Sequence, residues 1–128
     1  MTRDDLIAYA LRSDIFQRWH WFQWHFSFYQ RGGEHPFAAA IIDACLACEM
    51  AIPGNGCQLI DKFAGISGAE KSDNNYDQLL QFLAELLVIR QVATFCWPFS
   101  ASFAYEPTTT SGGKNPELIV SGDNVTIG

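Results

Sequence analysis

Two carboxylates sit where ordinary surface chemistry does not explain them. Glu85 is the only charged residue between Gln78 and Ile89. On a helix its neighbours are Phe82, Val88 and Ile89, and no basic residue lies three or four positions away to pair with it. A carboxylate among apolar side chains is expensive unless a metal ion or a hydrogen-bond network compensates for it. Glu117 follows Pro116, whose ring fixes the backbone and presents the next side chain at the entry to a strand. Converging from a helix and from a strand end, the two acids would hold one hard cation such as Mg²⁺, which keeps several of its own waters. The plainer reading makes Glu85 a helix-margin residue reaching solvent and Glu117 a solvated strand end. Glu106 and Lys114 flank this site as an auxiliary acid and a phosphate contact, or as solvated loop side chains.

Other residue types capable of chemistry point less far. Cys45 and Cys48 have ligand-like spacing, and Cys57, His20, His25 and His35 would have to complete a zinc site. The pair lies within a helix with no second pair after it, so buried, unreactive cysteines are expected. No motif ties a cysteine to a histidine as a nucleophilic dyad. Trp19, Trp21, Phe22, Trp24, Phe26, Phe28 and Tyr29 form an aromatic block that could stack on single-stranded bases. Only Arg18 and Arg31 flank it, so core packing, or a face for a homodimer or a protein partner, is the better expectation.

The elements that must position these residues can be read from periodicity. Thr2 with Asp5 resembles a capping box, and Leu6, Ile7, Ala10 and Leu11 follow at helical spacing. Residues 15–29 fit a helix, yet Phe22, Trp24, Phe26 and Phe28 also alternate as in a strand; the length and the helical neighbours favour helix. Pro36 opens a helix running to about Ala51, and Pro53-Gly54 stops it. Asn55-Gly56 reads as a turn before a short helix from about Cys57 to Phe63. The strongest helix covers about Asn75 to Ala93, with an apolar stripe of Tyr76, Leu79, Leu80, Leu83, Leu86 and Leu87. A strand-like run follows from Thr94 to Tyr105, broken near Pro98. A loop leads to a hairpin of 117–120 and 125–127 around Ser121-Gly122-Asp123-Asn124. The expected fold class is α/β, with an N-terminal helical region over 1–72 and a helix feeding a small sheet over 73–128.

A helix with an interior Glu85, a β-rich stretch ending in Tyr105-Glu106-Pro107, and Asn115-Pro116-Glu117-Leu118 leading into Val125-Thr126-Ile127-Gly128 follow one another in a recognisable order. Over roughly 73–128 this resembles the opening of the restriction-endonuclease-like PD-(D/E)XK nuclease superfamily. The resemblance implies a core helix supplying Glu85, a Pro-acid motif supplying Glu117 in place of the family's aspartate, and Mg²⁺ as cofactor. It implies that the family's acid-x-Lys triplet would fall just beyond Gly128, leaving an incomplete sheet and a truncated site. Metal-activated water would then hydrolyse DNA phosphodiester bonds in the full-length protein, while the 128-residue chain alone is expected to be inactive.

The bulk properties bound these readings. At 128 residues the chain is long enough for one domain with a modest core. Hydrophobic residues make up 48% and charged residues 17%, which argues against disorder. A formal charge of −6 disfavours a simple electrostatic nucleic-acid binder and leaves room for a carboxylate metal site. The longest apolar stretch, Phe37 to Met50, is interrupted by Asp43 and Glu49, so no membrane span is expected. Four cysteines without a secretory signal suggest reduced thiols in a cytoplasm. The competing expectation is a non-enzymatic acidic helical module for protein interaction or dimerisation.

Overall fold

The computed structural model describes residues 1–66, 73–98, 100–105, 118–122 and 125–127, and only the backbone of residues 73–75 and 125. Helices come first and a small sheet follows: α1 (Arg3–Leu11), α2 (Asp14–Gln17), α3 (Gln23–Gln30), α4 (Pro36–Ala51), α5 (Asn55–Ile66), α6 (Asp73–Thr94), then β1 (Ser102–Tyr105), β2 (Leu118–Gly122) and β3 (Val125–Ile127). The fold is thus mixed α and β, in the expected order.

Local signals explain most helix starts. The Asp5 amide donates to Thr2 Oγ1 at 3.1 Å and the Thr2 amide to Asp5 Oδ2 at 2.9 Å, the reciprocal capping box of α1. Ser13 caps α2 by accepting from the Ile15 amide. The ambiguous 15–29 segment is helical, but in two pieces. The chain breaks at 18–22 because the buried His20 ring replaces helical bonding with its own: Nδ1 accepts from the Phe22 amide at 3.1 Å and Nε2–H donates to the Phe63 carbonyl at 3.0 Å.

The reading of Asn55-Gly56 as a turn is corrected. Gly54, at φ +87°, makes the turn, and α5 starts at Asn55. Glu49 at the end of α4 supplies the cap that local sequence lacks: its carboxylate accepts from the Gly54 amide at 2.7 Å and the Gly56 amide at 3.0 Å. A Cβ at Gly56 would lie 3.0 Å from Leu6 Cδ2 and 3.1 Å from Glu49 Oε1, so a side chain here would press on both α1 and α4 and glycine eases the approach of α5 to them.

Every helix feeds one core. Leu6, Ile15, Phe26, Ile42, Leu59, Phe63, Leu79 and Leu86 are all fully enclosed. Phe63 is the hub: its ring lies 5.7 Å from Phe22, 6.0 Å from Phe26 and 6.1 Å from Phe82, joining α3, α5 and α6.

The buried face of α6 differs from the expected stripe. Leu79, Phe82, Leu86 and Ile89 point inward, while Leu80 (46% exposed) and Leu87 (62%) point outward. Apolar residues, with Phe82, Val88 and Ile89 added to the leucines, cover more than half the circumference of this helix, so periodicity alone does not select the inner face. The aromatic hub does, by drawing Phe82 towards Phe63.

The strand-like run from Thr94 is also corrected. Helix α6 continues to Thr94, and the Trp97 indole donates to the Val92 carbonyl at 2.9 Å, capping the helix end. Pro98 has no amide to offer a ladder, and the strand begins only at Ser102. The sheet is antiparallel in the order β1-β2-β3, pairing Tyr105 with Leu118 and Gly122 with Val125; the expected hairpin is present, but β2 runs on through Ser121 and Gly122, which were expected in its loop. Val120 is buried, and Tyr105 and Leu118 pack against the helical core.

Candidate functional site

Glu85 is placed on α6 and is about one-third exposed, with Lys62 of α5 beside it, Nζ to Oε2 3.7 Å. The Lys62 ammonium also lies 5.9 Å from the centre of the Phe82 ring. The compensation expected for this carboxylate therefore comes, at least in part, from a neighbouring helix. Sequence reasoning searched three and four positions along α6 and missed a cation twenty-three residues upstream. A pair this open to water is worth about 0–1 kcal/mol.

Glu117, Glu106 and Lys114 lie outside the described residues, so the convergence of Glu85 and Glu117 has no geometry to report. Among the described residues no group of three or more His, Cys, Asp or Glu side chains has a metal-binding arrangement. Cys45 and Cys48 are buried in α4, as expected of structural cysteines. Burial holds the Cys45 thiol far above its usual range and pushes Cys48 up to about 11, so both are neutral thiols. Cys57 is half-buried, its thiol also raised by burial, and Cys96 is exposed.

A polar cleft of about 460 Å³ lies between the end of α1 and α5, lined by Tyr9, Arg12, Ser13, Asp14 and Asp61. Much of its polarity is already engaged. The Tyr9 hydroxyl donates to both Asp61 carboxylate oxygens at 2.8 Å, and Arg18 holds Asp14 at 2.9 Å. The Asp61 hydrogen bond, with burial, pushes Tyr9 up to about 12, so its phenol stays protonated and serves as neither base nor nucleophile near neutral pH.

The opposite side of the helical layer is apolar. Phe37, Ala40, Ile41, Leu83 and Leu87 line a groove of about 170 Å³ between α4 and α6. It continues into the outer face of α6, where Leu80, Ala84, Leu87 and Val88 are all exposed. The polar residues interleaved with them include the uncharged Gln78, Gln81 and Gln91 rather than the lysines and glutamates of an ordinary solvent face. The aromatic block, by contrast, is turned largely inward: Phe22 and Phe26 are buried and Trp21 packs on Tyr76 at 5.0 Å, leaving Trp24 at 59% exposure. Sequence reasoning offered core packing or a docking face for that block; core packing is what the fold shows for Phe22 and Phe26, and the outer face of α6 was missed. The available signal was the shortage of charge along α6, which was read only as a clue to Glu85.

No helix among the described residues is long and apolar enough to cross a membrane. No protein-family model, curated protein or solved structure matches the chain.

Proposed function

We propose that this chain is a non-enzymatic interaction module that pairs with a second copy of itself through the outer face of α6. The supporting observation is the exposed row Leu80, Ala84, Val88, one ridge of residues four apart, with Leu87 beside it. A two-fold axis through Ala84 sets Leu80 against the partner's Val88 and brings the two Ala84 residues together. The small side chain allows close backbone approach at the crossing, as ridge-into-groove packing requires. Between the exposed Asp77 at one end of the ridge and Arg90 at the other, its exposed polar neighbours are glutamines, and depletion of charge is the compositional mark of an interface core.

The test is the solution mass by sedimentation equilibrium, for the natural chain and for Ala84→Glu. Two chains are expected for the first and one for the second, with unchanged helical circular dichroism because residue 84 is exposed. A natural chain that stays at one copy across the accessible concentration range refutes the self-pairing.

A second reading follows the family resemblance: a fragment of a Mg²⁺-dependent nuclease with Glu85 and Glu117 as metal ligands. It is favoured by one feature, a carboxylate-bearing α6 leading into three antiparallel strands. Calorimetric titration with Mg²⁺ tests it, since a bound divalent ion must be lost in Glu85→Gln; absence of binding to the natural chain removes this reading and leaves the first untouched.

A further inference from the structure

His20 and His35 make the same local motif. Each accepts, through Nδ1, the backbone amide of the phenylalanine two residues on: Phe22 for His20 and Phe37 for His35, both at 3.1 Å. An Nδ1 that accepts carries no proton, so the geometry assigns the hydrogen to Nε2 in both rings. In His20 that hydrogen goes to the Phe63 carbonyl of α5. In His35 the bond caps the first turn of α4, where Pro36 has no amide of its own to satisfy. The two phenylalanines carrying the accepted amides stack on each other, with centroids 4.9 Å apart.

His25 lies at the centre of this arrangement. Its ring is 5.4 Å from both Phe22 and Phe37 and 4.7 Å from His35, and its Nδ1 is enclosed with no hydrogen-bond partner. Trp24 and Phe28 of α3 also close on His35, and Tyr76 of α6 lies against Phe22. The charged groups on this side are committed elsewhere: Glu34 to Arg3 of α1 and to the Tyr29 hydroxyl, and Arg31 over the Phe28 ring. No described ion pair includes a histidine.

We propose that the joint between α3 and α4 is an acid-released latch, closed only while the His20 and His25 imidazoles are uncharged. A proton added to Nδ1 of His20 sets a donor against the Phe22 amide it had accepted. A proton on His25 places charge in the enclosed space beside the Phe22 and Phe37 rings, where the two helices meet. Burial already lowers the proton affinity of His20 and His25, the latter also through His35. The sign follows from linkage. The open state takes up protons first, so the latch is fully closed above the ordinary histidine value near pH 6.5 and loosens as pH falls below it. Each histidine that must charge on opening raises the opening constant by about tenfold per pH unit in that window. Carboxylates titrate lower, so the range from pH 7 to 5.5 isolates the histidines.

Amide hydrogen exchange by NMR tests the latch, with rates corrected for the intrinsic pH dependence. Protection of the Phe22 amide is expected to fall at least about fivefold from pH 7 to 5.5. In His20→Asn the side-chain oxygen accepts the same amide without titrating, so protection at Phe22 should depend less on pH. Flat protection of the Phe22 amide in the natural chain overturns the proposal. So does an unchanged loss at Phe22 in His20→Asn. A readout that needs no variant is the imidazole ¹⁵N spectrum. An Nε2–H tautomer is expected for His20 at pH 7, and a titration midpoint for His20 at or above that of free histidine overturns the latch.

Discussion

Replacing Phe63 by alanine should remove a large fraction of the stability of this protein. Phe63 is 1% exposed and its ring meets four others: His20 at 4.8 Å, Phe22 at 5.7 Å with only 19° between the planes, Phe26 at 6.0 Å and Phe82 at 6.1 Å. Truncating a buried phenylalanine costs about 3–5 kcal/mol through lost transfer energy and the cavity left behind. The upper part of that range applies, because the four partner rings come from three different segments and cannot close the gap together. About 4 kcal/mol is a quarter or more of the roughly 5–15 kcal/mol that holds a domain of this size. Phe63→Leu keeps much of the volume but loses the ring contacts, each worth about 0.5–1.5 kcal/mol, and should cost about 1–2 kcal/mol. Met50→Ala, at a residue 80% exposed, serves as the control and should stay within about 0.5 kcal/mol. Urea unfolding followed by tryptophan fluorescence measures all three, with the slope of free energy against denaturant checked for constancy. A loss below about 1.5 kcal/mol in Phe63→Ala would refute the assignment of Phe63 as the hub.

Two further predictions concern side chains singled out by their chemistry. Glu85→Gln should change stability in metal-free buffer by less than about 1 kcal/mol, because the Lys62 pair is one-third exposed; a larger loss in urea unfolding would mean the carboxylate is held by more than that contact. Thiol labelling of the native protein at neutral pH should modify Cys96 rapidly and Cys57 more slowly, and spare Cys45 and Cys48 until urea is added. Fast native modification of Cys45, whose thiol is both enclosed and held protonated, would contradict the packing of α4.

What could be read along the chain was what depends on a few consecutive residues. The Thr2–Asp5 box, Pro36 at the first turn of α4 and the existence of a β2–β3 hairpin all rest on short-range hydrogen bonding and backbone preference, and each stands in the fold. The α5 start at Asn55 was missed because its cap comes from Glu49 on another helix. The end of α6 was legible to within a residue, but the run after it is not strand before Ser102, where the Trp97 indole turns back to the Val92 carbonyl and Pro98 has no amide for a ladder.

The candidate sites divide in the same way. The sequence by itself determined that Glu85 is an isolated charge on an apolar helix, that Cys45 and Cys48 belong to a buried helix face, and that α6 carries more apolar residues than one face needs. Tertiary structure decided that Lys62 stands beside Glu85, that Leu80, Leu87 and Val88 face outward, and that the three histidines meet around Phe22 and Phe37. The reason is range: caps and periodicity act within one turn, whereas the choice of inner face and of ionic partner is made between helices, by which side chains fill the shared core once they are brought together.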